Sequence, residues 1–418
     1  MPRIDFERIT IMKVRRNLAS LSTDERAKYV TAVKALKQKP YVADAAHPSL
    51  PNVSNVTNVW NWYVASHMQA MGLAHRAPAF LTWHRAFLLQ MENDLGSVLG
   101  DASYALPYWD WAADQASGNP KQASVWQPDL MGGDGRPVST GPFRAGQWTL
   151  YTGGSLERAF GANLPTPGQV TDALANPTFD SPNWNSNSPG FRTSLEGLHN
   201  AVHGWVGGTM GLMSSPEDPV FFLHHCNVDR IWAMWEVAHP NDVASGWPPP
   251  GQGPANQHLD DALSPWNGVG GAATITSRGM LDFKALGFTY ETFRTDLAVN
   301  SKVVWQDSGV DIQSRASVSV QRLSGTWMCS PGAGWTDANG TPRYIAKPGY
   351  AMPGVNEGAL VGKIGASGAP FLIGNSKTLP SNQSGRLYLS INDDVPPQYG
   401  AGFVDNQGQI NVTVQLTL

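Results

Sequence analysis

The 418-residue sequence predicts a multi-domain α + β protein in which a mainly α-helical domain precedes an antiparallel β-sandwich. All ten histidines come before residue 259. Up to about Met234 the apolar residues recur at intervals of three and four, which is the period of one helix face. From about Val303 apolar and polar residues alternate between Gly, Pro and Asn, as in strands that bury one side. We therefore expect two domains, residues 1–298 and 299–418, with the boundary near Asn300.

The helical part begins with a start signal. Ser22-Thr-Asp-Glu25 is a capping box, and Pro40 must end the helix that it opens. The periodicity predicts four further helical segments, at residues 60–71, 85–99, 195–206 and 221–237. Stretches rich in Gly, Pro, Asn and Ser (112–142 and 165–190) lie between them and predict long loops packed over a helical scaffold.

Composition excludes several classes of function. With 41% apolar residues and 16 Trp the chain can bury a large core, and a net charge of −4 gives no basic surface for nucleic acid. No apolar stretch approaches the roughly 18 residues of a membrane span. The N-terminus lacks the apolar core of a secretory signal, so we expect a cytoplasmic location by default. The two cysteines, Cys226 and Cys329, exclude a disulfide framework and leave open whether both are free.

Six histidines in two groups carry the chemistry. One group is His67, His75 and His84; in the other, His199 and His203 stand four residues apart and His225 ends the run from Asp218. Di-iron sites use Glu-x-x-His carboxylates and structural zinc sites use cysteines, and neither accompanies these histidines at matching spacing. Imidazole binds copper readily in either redox state. The pattern therefore predicts two copper ions that handle O2, held in the core of a four-helix bundle.

Helix geometry limits which histidines face the metals. His199 and His203 project from one helical face, although a bare His-x-x-x-His is also explained by polar packing. Adjacent helical residues diverge by about 100°, so only one of His224 and His225 can point inward. The remaining histidines lack partners at ligand spacing and are interpreted as surface or hydrogen-bonded residues: His47, His239 and His258.

These residues resemble the type-3 copper proteins, which are tyrosinases, catechol oxidases and molluscan haemocyanins. The matching segments are Phe80-Leu-Thr-Trp-His-Arg, His199-Asn-Ala-Val-His-Gly-Trp-Val-Gly-Gly and Asp218-Pro-Val-Phe-Phe-Leu-His-His-Cys-Asn-Val-Asp-Arg-Ile-Trp. Phe288-Thr-Tyr290 is similar to the aromatic-x-Tyr element that closes the oxidase domain. The resemblance covers about residues 1–295.

The resemblance implies a role for each site residue. His67, His75 and His84 would bind copper A, and His199, His203 and His225 would bind copper B. Phe80 and Phe221 would pack on the ligand rings, which is compatible with ordinary core packing. Asp229 lies one helical turn after His225, and this spacing, rather than the resemblance, makes it a candidate hydrogen-bond partner for a ligand; alternatively, it pairs with Arg230 or another base.

Three further positions concern substrate. Glu196 and Asn200 match positions that hold a water for phenol deprotonation, although Glu196 is also explained as a first-turn acid stabilised by the helix dipole. Leu212 occupies the position of a gate residue over copper B, and Gly204 leaves the entrance uncrowded. Relatives often crosslink the middle histidine of the first group to a cysteine. Here Leu73 and Ala74 precede His75, so we expect packing alone to order this loop.

The C-terminal part resembles small calcium-dependent galactophilic lectins, which are jelly-roll-like sandwiches, most strongly between Gly358 and Val414. The resemblance implies that Asp393, Asp405 and Asn406 bind one calcium ion that holds sugar hydroxyls. The alternative is that these residues only form turns between strands. Three roles stay open for this module: binding carbohydrate, capping the oxidase site, or stabilising or oligomerising the enzyme.

The function that these features predict is a dicopper phenol oxidase of the tyrosinase type, linked to melanin biosynthesis. Its partners would be O2 and small phenols or catechols, with no nucleic acid and no membrane. The joint presence of Glu196 and Asn200 favours ortho-hydroxylation of monophenols as well as oxidation of catechols to o-quinones. The alternatives are a catechol oxidase or o-aminophenol oxidase without monophenolase activity, a haemocyanin-like O2 carrier, and a sugar-binding adhesin.

Overall fold

The computed structural model describes residues 12–239, 241–312, 317–379 and 383–417, and the chain divides into two compact units. The first unit contains residues 1–233 and 241–290, and the second contains residues 234–240 and 291–418. The boundary expected at residue 299 falls inside a strand, Thr292–Asn300, that pairs along its length with the last strand of the chain. The observed division therefore follows Tyr290 directly. The first N-terminal residues, on which the expected location depends, lie outside the described residues.

The helices of the chain are α1 (Thr23–Gln38), α2 (Val59–Ala74), α3 (Phe80–Leu99), α4 (Trp111–Ala116), α5 (Pro167–Leu174), α6 (Phe191–Val206) and α7 (Val220–Ala238). The capping box at the start of α1 is present in both directions between Ser22 and Glu25. Helix α3 begins at Phe80, five residues before the predicted start at Arg85, so His84 lies in its second turn. Within the described ranges, no helix combines the length and apolarity needed to cross a membrane.

A buried network of charges holds the first unit together. Strands β1 (Lys13–Arg15) and β4 (Phe288–Tyr290) pair in parallel, which brings Arg15 beside Tyr290. The Arg15 guanidinium donates to Glu92 and Asp229, each at 2.9 Å, and Arg85 donates to Asp229 at 2.6 Å. All of these side chains are buried, so each charge depends on its partners for stabilisation. The aromatic-x-Tyr element therefore ties the start of the unit to its end.

The remaining strands are β2 (Ala262–Asn267), β3 (Thr274–Thr276), β5 (Thr292–Asn300), β6 (Gln306–Ile312), β7 (Ser317–Met328), β8 (Asn339–Ile345), β9 (Asn356–Ile364), β10 (Phe371–Leu372), β11 (Ser376–Leu379), β12 (Gly385–Ile391) and β13 (Gln407–Thr417). The second unit contains two antiparallel sheets, one ordered β10-β9-β12-β6 with β8 on β9, and one ordered β11-β7-β13-β5. Side chains of both sheets share one apolar core, including Leu387 and Leu389 from the first and Val412 and Val414 from the second. The alternating segments predicted at residues 317–323, 386–391 and 410–416 lie in β7, β12 and β13.

Candidate metal centre

Four helices, and the residue that follows one of them, bring six predicted histidines into two sets. The first set is His67 on α2, His75 directly after α2 and His84 on α3; the second set is His199 and His203 on α6 and His225 on α7. Within each set one ring nitrogen per residue lies within 4.8 Å of those of its partners. In the first set the ring centroids are 5.0 to 5.8 Å apart.

The two sets meet across the centre. The rings of His84 and His225 stack with centroids 4.3 Å apart and planes 18° from parallel. Phe80 contacts His84 at 5.1 Å and His199 at 4.9 Å, while Phe221 stacks on His225 at 4.0 Å and contacts His67 at 5.1 Å. Each phenylalanine therefore packs against a histidine of both sets. These contacts are the ones expected of residues that limit the rotation of ligand rings.

In three of the six histidines a backbone carbonyl determines which ring nitrogen is available. Nδ1 of His67 lies 2.9 Å from the Met213 carbonyl, Nδ1 of His84 2.8 Å from that of Phe80, and Nδ1 of His203 2.7 Å from that of Met210. A carbonyl can only accept a hydrogen bond, so Nδ1 carries the proton and Nε2 keeps a lone pair. The same holds for His199, whose Nδ1 faces Oδ1 of Asn200 at 3.1 Å.

These lone pairs suit a cation. Nε2 of His225 lies 3.1 Å from Nε2 of His199 and 3.3 Å from Nε2 of His203. Nε2 of His67 and of His84 are buried without a hydrogen-bond partner among the described residues. Burial lowers the pKa of the six imidazoles, to about 4 for His75 and His203 and well below the ordinary value for the others. Neutral imidazoles that converge without carboxylate or thiolate fit copper.

His224 also lies against the second set. Its ring stacks on His199, with centroids 5.1 Å apart and planes 17° from parallel, and it lies 5.0 Å from His203. Both neighbours in the His-His pair therefore reach the centre, although helix geometry led us to expect only one. His225 differs because its Nε2 approaches both partners and its ring stacks on the first set.

Glu196 is buried on α6 between two cationic or polar groups. Oε1 accepts the backbone N–H of Arg76 at 2.5 Å, and Oε2 accepts from Arg192 Nη1 at 2.9 Å. Arg192 also binds Asp180 at 2.8 Å. Burial raises the pKa of Glu196, an effect that these two partners reduce. Because α6 begins at Phe191, Glu196 lies beyond the first turn, and the helix-dipole explanation for this residue is wrong.

The expectation that Asp229 hydrogen-bonds a ligand is wrong. Both of its oxygens are used by Arg15, Arg85 and the Tyr290 hydroxyl, away from the histidines. Two buried guanidinium groups need a nearby anion more than a neutral imidazole does. The alternative expectation, a structural pair with Arg230 or another base, is confirmed for other bases: Arg15 and Arg85 pair with Asp229, while Arg230 pairs with Asp110.

Leu212 and the other histidines occupy distinct places. Leu212 is 60% exposed and lies between Met210 and Met213, whose carbonyls bind one histidine of each set. The three histidines expected to have no metal role all have hydrogen bonds: His47 to Asp44 and Asp94, His239 to the Trp235 carbonyl, and His258 to Asp261 and the Gln252 carbonyl.

Sequence reasoning missed several groups around the site. Arg192 precedes Glu196 by four residues, so the helical i, i+4 spacing could have identified this ion pair. The carbonyls of Met210 and Met213 leave no signal in side-chain identity. The loop after His75 is held by hydrogen bonds to Glu196 and to Gln257, so the expectation of packing alone is wrong.

Comparisons with known proteins agree with this geometry. Residues 57–238 match the family model described as the common central domain of tyrosinase. The chain is 40% identical to a tyrosinase of Streptomyces antibioticus over 290 residues, which are 63% of this chain and 96% of that protein. It is 32% identical to grixazone synthase of Streptomyces griseus over 67% of this chain and all of that protein. The structure of a polyphenol oxidase variant from Thermothelomyces thermophila aligns with a TM-score of 0.50 and 26% identity, over 67% of this chain and 88% of that one.

Proposed function

The chain belongs to the tyrosinase family of type-3 copper proteins and is a dicopper phenol oxidase. On that premise we propose that it ortho-hydroxylates monophenols and also oxidises catechols to o-quinones. The observation that carries the proposal is the meeting of two sets of three neutral histidines at the His84–His225 stack. His67, His75 and His84 would hold copper A, and His199, His203 and His225 would hold copper B. When bound, the two coppers supply the electrons that activate O2.

The chain's own residues keep the six rings neutral and in place. Burial opposes protonation of the imidazoles, so their lone pairs stay available at neutral pH. Phe80 and Phe221 pack against rings of both sets and restrict their rotation. In His67, His84 and His203 the hydrogen bond of Nδ1 to a backbone carbonyl selects one tautomer, which leaves Nε2 as the metal-binding atom.

Monophenols need a base, because a phenol with a pKa near 10 is protonated at neutral pH. Glu196 and Asn200 lie one helical turn apart on α6, on the same face. Arg192 lies between Glu196 and Asp180, so these three groups carry one net negative charge when both carboxylates are ionised. Burial raises the pKa of Asp180 to about 6, and Glu196 contributes to the rise. We propose that this carboxylate pair takes the phenol proton through a water held by Glu196 and Asn200.

Asn200 and Gly204 are exposed on α6, and we propose that the phenol enters from this side. The exposed Leu212 side chain would contact the phenol ring as it enters. Overall, hydroxylation consumes one O2 per monophenol and yields one o-quinone and one water. Quinones of tyrosine form pigment, so we propose melanin biosynthesis as the setting.

The test is turnover by copper-loaded, full-length protein of tyramine, tyrosine and catechol, followed by O2 consumption. We expect two coppers per chain and quinone formation from all three substrates. Turnover of catechol but not of tyramine would replace the proposal with a catechol oxidase or o-aminophenol oxidase. Reversible O2 binding without turnover would indicate a haemocyanin-like carrier.

For the second unit we propose a calcium site that binds carbohydrate. Oδ2 of Asp393 and Oδ1 of Asn406 are buried and have no hydrogen-bond partner in the part of the chain that the structure describes. Asn406 Nδ2 donates to the Ser301 carbonyl at 2.9 Å, which leaves its oxygen for another group. Burial, with Asp394 and Asp405 nearby, raises the pKa of Asp393 to about 7. Turn formation explains Asp394, which accepts the Gln398 and Tyr399 N–H groups. It does not explain why Oδ2 of Asp393 and Oδ1 of Asn406 lack a partner among the described residues.

Calcium should raise the thermal stability of the full chain, and Asp393→Asn should remove that increase. At calcium 100 times above Kd the gain is about 2.7 kcal/mol. The matched control is Asp307→Asn, an exposed carboxylate of the same unit that accepts the Gly309 N–H and lies 3.6 Å from Nε of Arg386. An equal response to magnesium, or none to calcium, would remove the site. Binding of a galactoside only with calcium would support carbohydrate recognition, whereas activation of phenol turnover by limited proteolysis would support capping.

A further inference from the structure

The loop between α2 and α3 carries His75 and has little support of its own. It runs from His75 to Ala79 between the two helices, and it contains Arg76 with φ of 59°, a left-handed conformation that non-glycine residues rarely adopt. His75 is the residue of the first set that lies outside a helix and is not fully buried. A histidine in such a position needs an external restraint if it is to keep its place in a metal site.

Gln257 supplies a restraint at both ends of this loop. Its Nε2 donates to the Leu73 carbonyl at 3.0 Å, and its Oε1 accepts from the Ala79 N–H at 2.8 Å. The side chain is 2% exposed, so water does not compete for these hydrogen bonds. One planar amide therefore fixes the separation between Leu73, two residues before His75, and Ala79, four residues after it.

A second restraint holds the middle of the loop. The Arg76 N–H, directly after His75, donates to Glu196 on the helix that carries His199 and His203. Glu196 is itself held by Arg192, so it cannot turn away without breaking a buried ion pair. The Gln257 and Glu196 side chains thus act on three backbone groups that flank His75.

We propose that Gln257 is a positioning residue for the first metal site: it holds in place the loop that carries His75. This inference rests on the proposed dicopper function but concerns metal retention rather than turnover. Loss of a residue that orients a metal ligand typically lowers metal affinity about 10- to 100-fold. The effect should be confined to the copper that His75 binds, because His199, His203 and His225 belong to other elements.

The experiment is copper release from the full-length, copper-loaded protein to a chelator. Gln257→Met keeps the length of the side chain and removes both hydrogen bonds. We expect one copper per chain to leave at least about tenfold faster than in the unaltered protein, and the other to leave at the unaltered rate. The partly emptied variant should show the paramagnetic resonance signal of one isolated Cu(II) per chain.

The matched control is Gln115→Met, which removes a hydrogen bond from the Leu164 N–H to a side-chain amide oxygen, between segments that carry none of the six histidines. It should release both coppers at the unaltered rate. Equal acceleration of both coppers in Gln257→Met would indicate a general loss of structure, and unchanged release would remove the role; either result overturns the proposal.

A second measurement needs no variant. In the unaltered chain, with and without copper, the Arg76 and Ala79 amides should exchange hydrogen as slowly as those of the neighbouring helices. Fast exchange in the copper-free folded chain would overturn the proposal even if Gln257→Met did not fold. The two proposals can fail separately. If Gln257→Met releases its two coppers at unequal rates but the protein oxidises no phenol, only the proposed function is refuted.

Discussion

We expect the replacement of Glu196 with Gln to separate monophenol hydroxylation from catechol oxidation. The change keeps an acceptor for the Arg76 N–H and removes the negative charge that faces Arg192 at 2.9 Å. Arg192 keeps Asp180, so the loss is that of one charge-assisted hydrogen bond, about 2 kcal/mol, or roughly 4–8 °C in Tm. Without the base, kcat for tyramine should fall about 10²-fold or more. Catechol needs less proton transfer, so its kcat should fall less than about threefold.

The assay is O2 consumption with tyramine and with catechol at equal copper content, below the lowered Tm. Glu217→Gln is the matched control, because Glu217 is also buried and also accepts a backbone N–H, from Thr152. The control should leave the ratio of the two activities unchanged. A parallel fall for tyramine and catechol in Glu196→Gln, with both coppers retained, would refute the assignment of Glu196 as the base.

Three other substitutions test separate parts of the molecule. Asp229→Asn leaves the buried Arg15 and Arg85 without their shared anion, and urea unfolding should show a loss of about 3–5 kcal/mol; a loss below about 1 kcal/mol would contradict the network. Burial lowers the pKa of Lys37 from 10.5 to about 8. The Lys37 ammonium therefore keeps its proton to a higher pH in the unfolded chain than in the folded one, and the free energy of unfolding should rise between about pH 8 and 10.5. Lys37→Met should abolish that rise and add about 2 kcal/mol at pH 7, which thermal unfolding at both pH values checks. Because the pKa of Asp393 is raised in the folded second unit, ionisation of Asp393 destabilises that unit in the absence of calcium. The free energy of unfolding should therefore fall as the pH rises from about 4 to 7. Unfolding midpoints of Asp393→Asn should not show this fall.

Features encoded by local patterns could be predicted from the sequence. The capping box at Ser22, the helical segments and the alternating strands all depend on residues within one turn or one strand of each other. The grouping of His199 with His203 follows from a spacing of four. The Arg192–Glu196 pair has the same spacing, but a pattern of charges does not say which of several nearby partners a carboxylate will take.

Features that join distant segments could not be predicted. Arg15 and Asp229 are 214 residues apart, and Gln257 is 184 residues from Leu73, so no periodicity connects them. Buried charges take whichever partner the fold brings near, and this is why Asp229 serves two arginines instead of a histidine. The strand Thr292–Asn300 shows the same limit: its membership of the second unit depends on pairing with the last strand, Gln407–Thr417, which is distant in sequence.

The main-chain oxygens of Met210 and Met213 orient His203 and His67, respectively. In the same segment the side chains of Leu212 and Met213 are 60% and 58% exposed. Amino-acid replacement does not remove a peptide oxygen, so mutagenesis of positions 212 and 213 should change their exposed side chains and leave metal binding intact. Saturation libraries at this pair are therefore a suitable starting point for testing how these two side chains affect substrate scope.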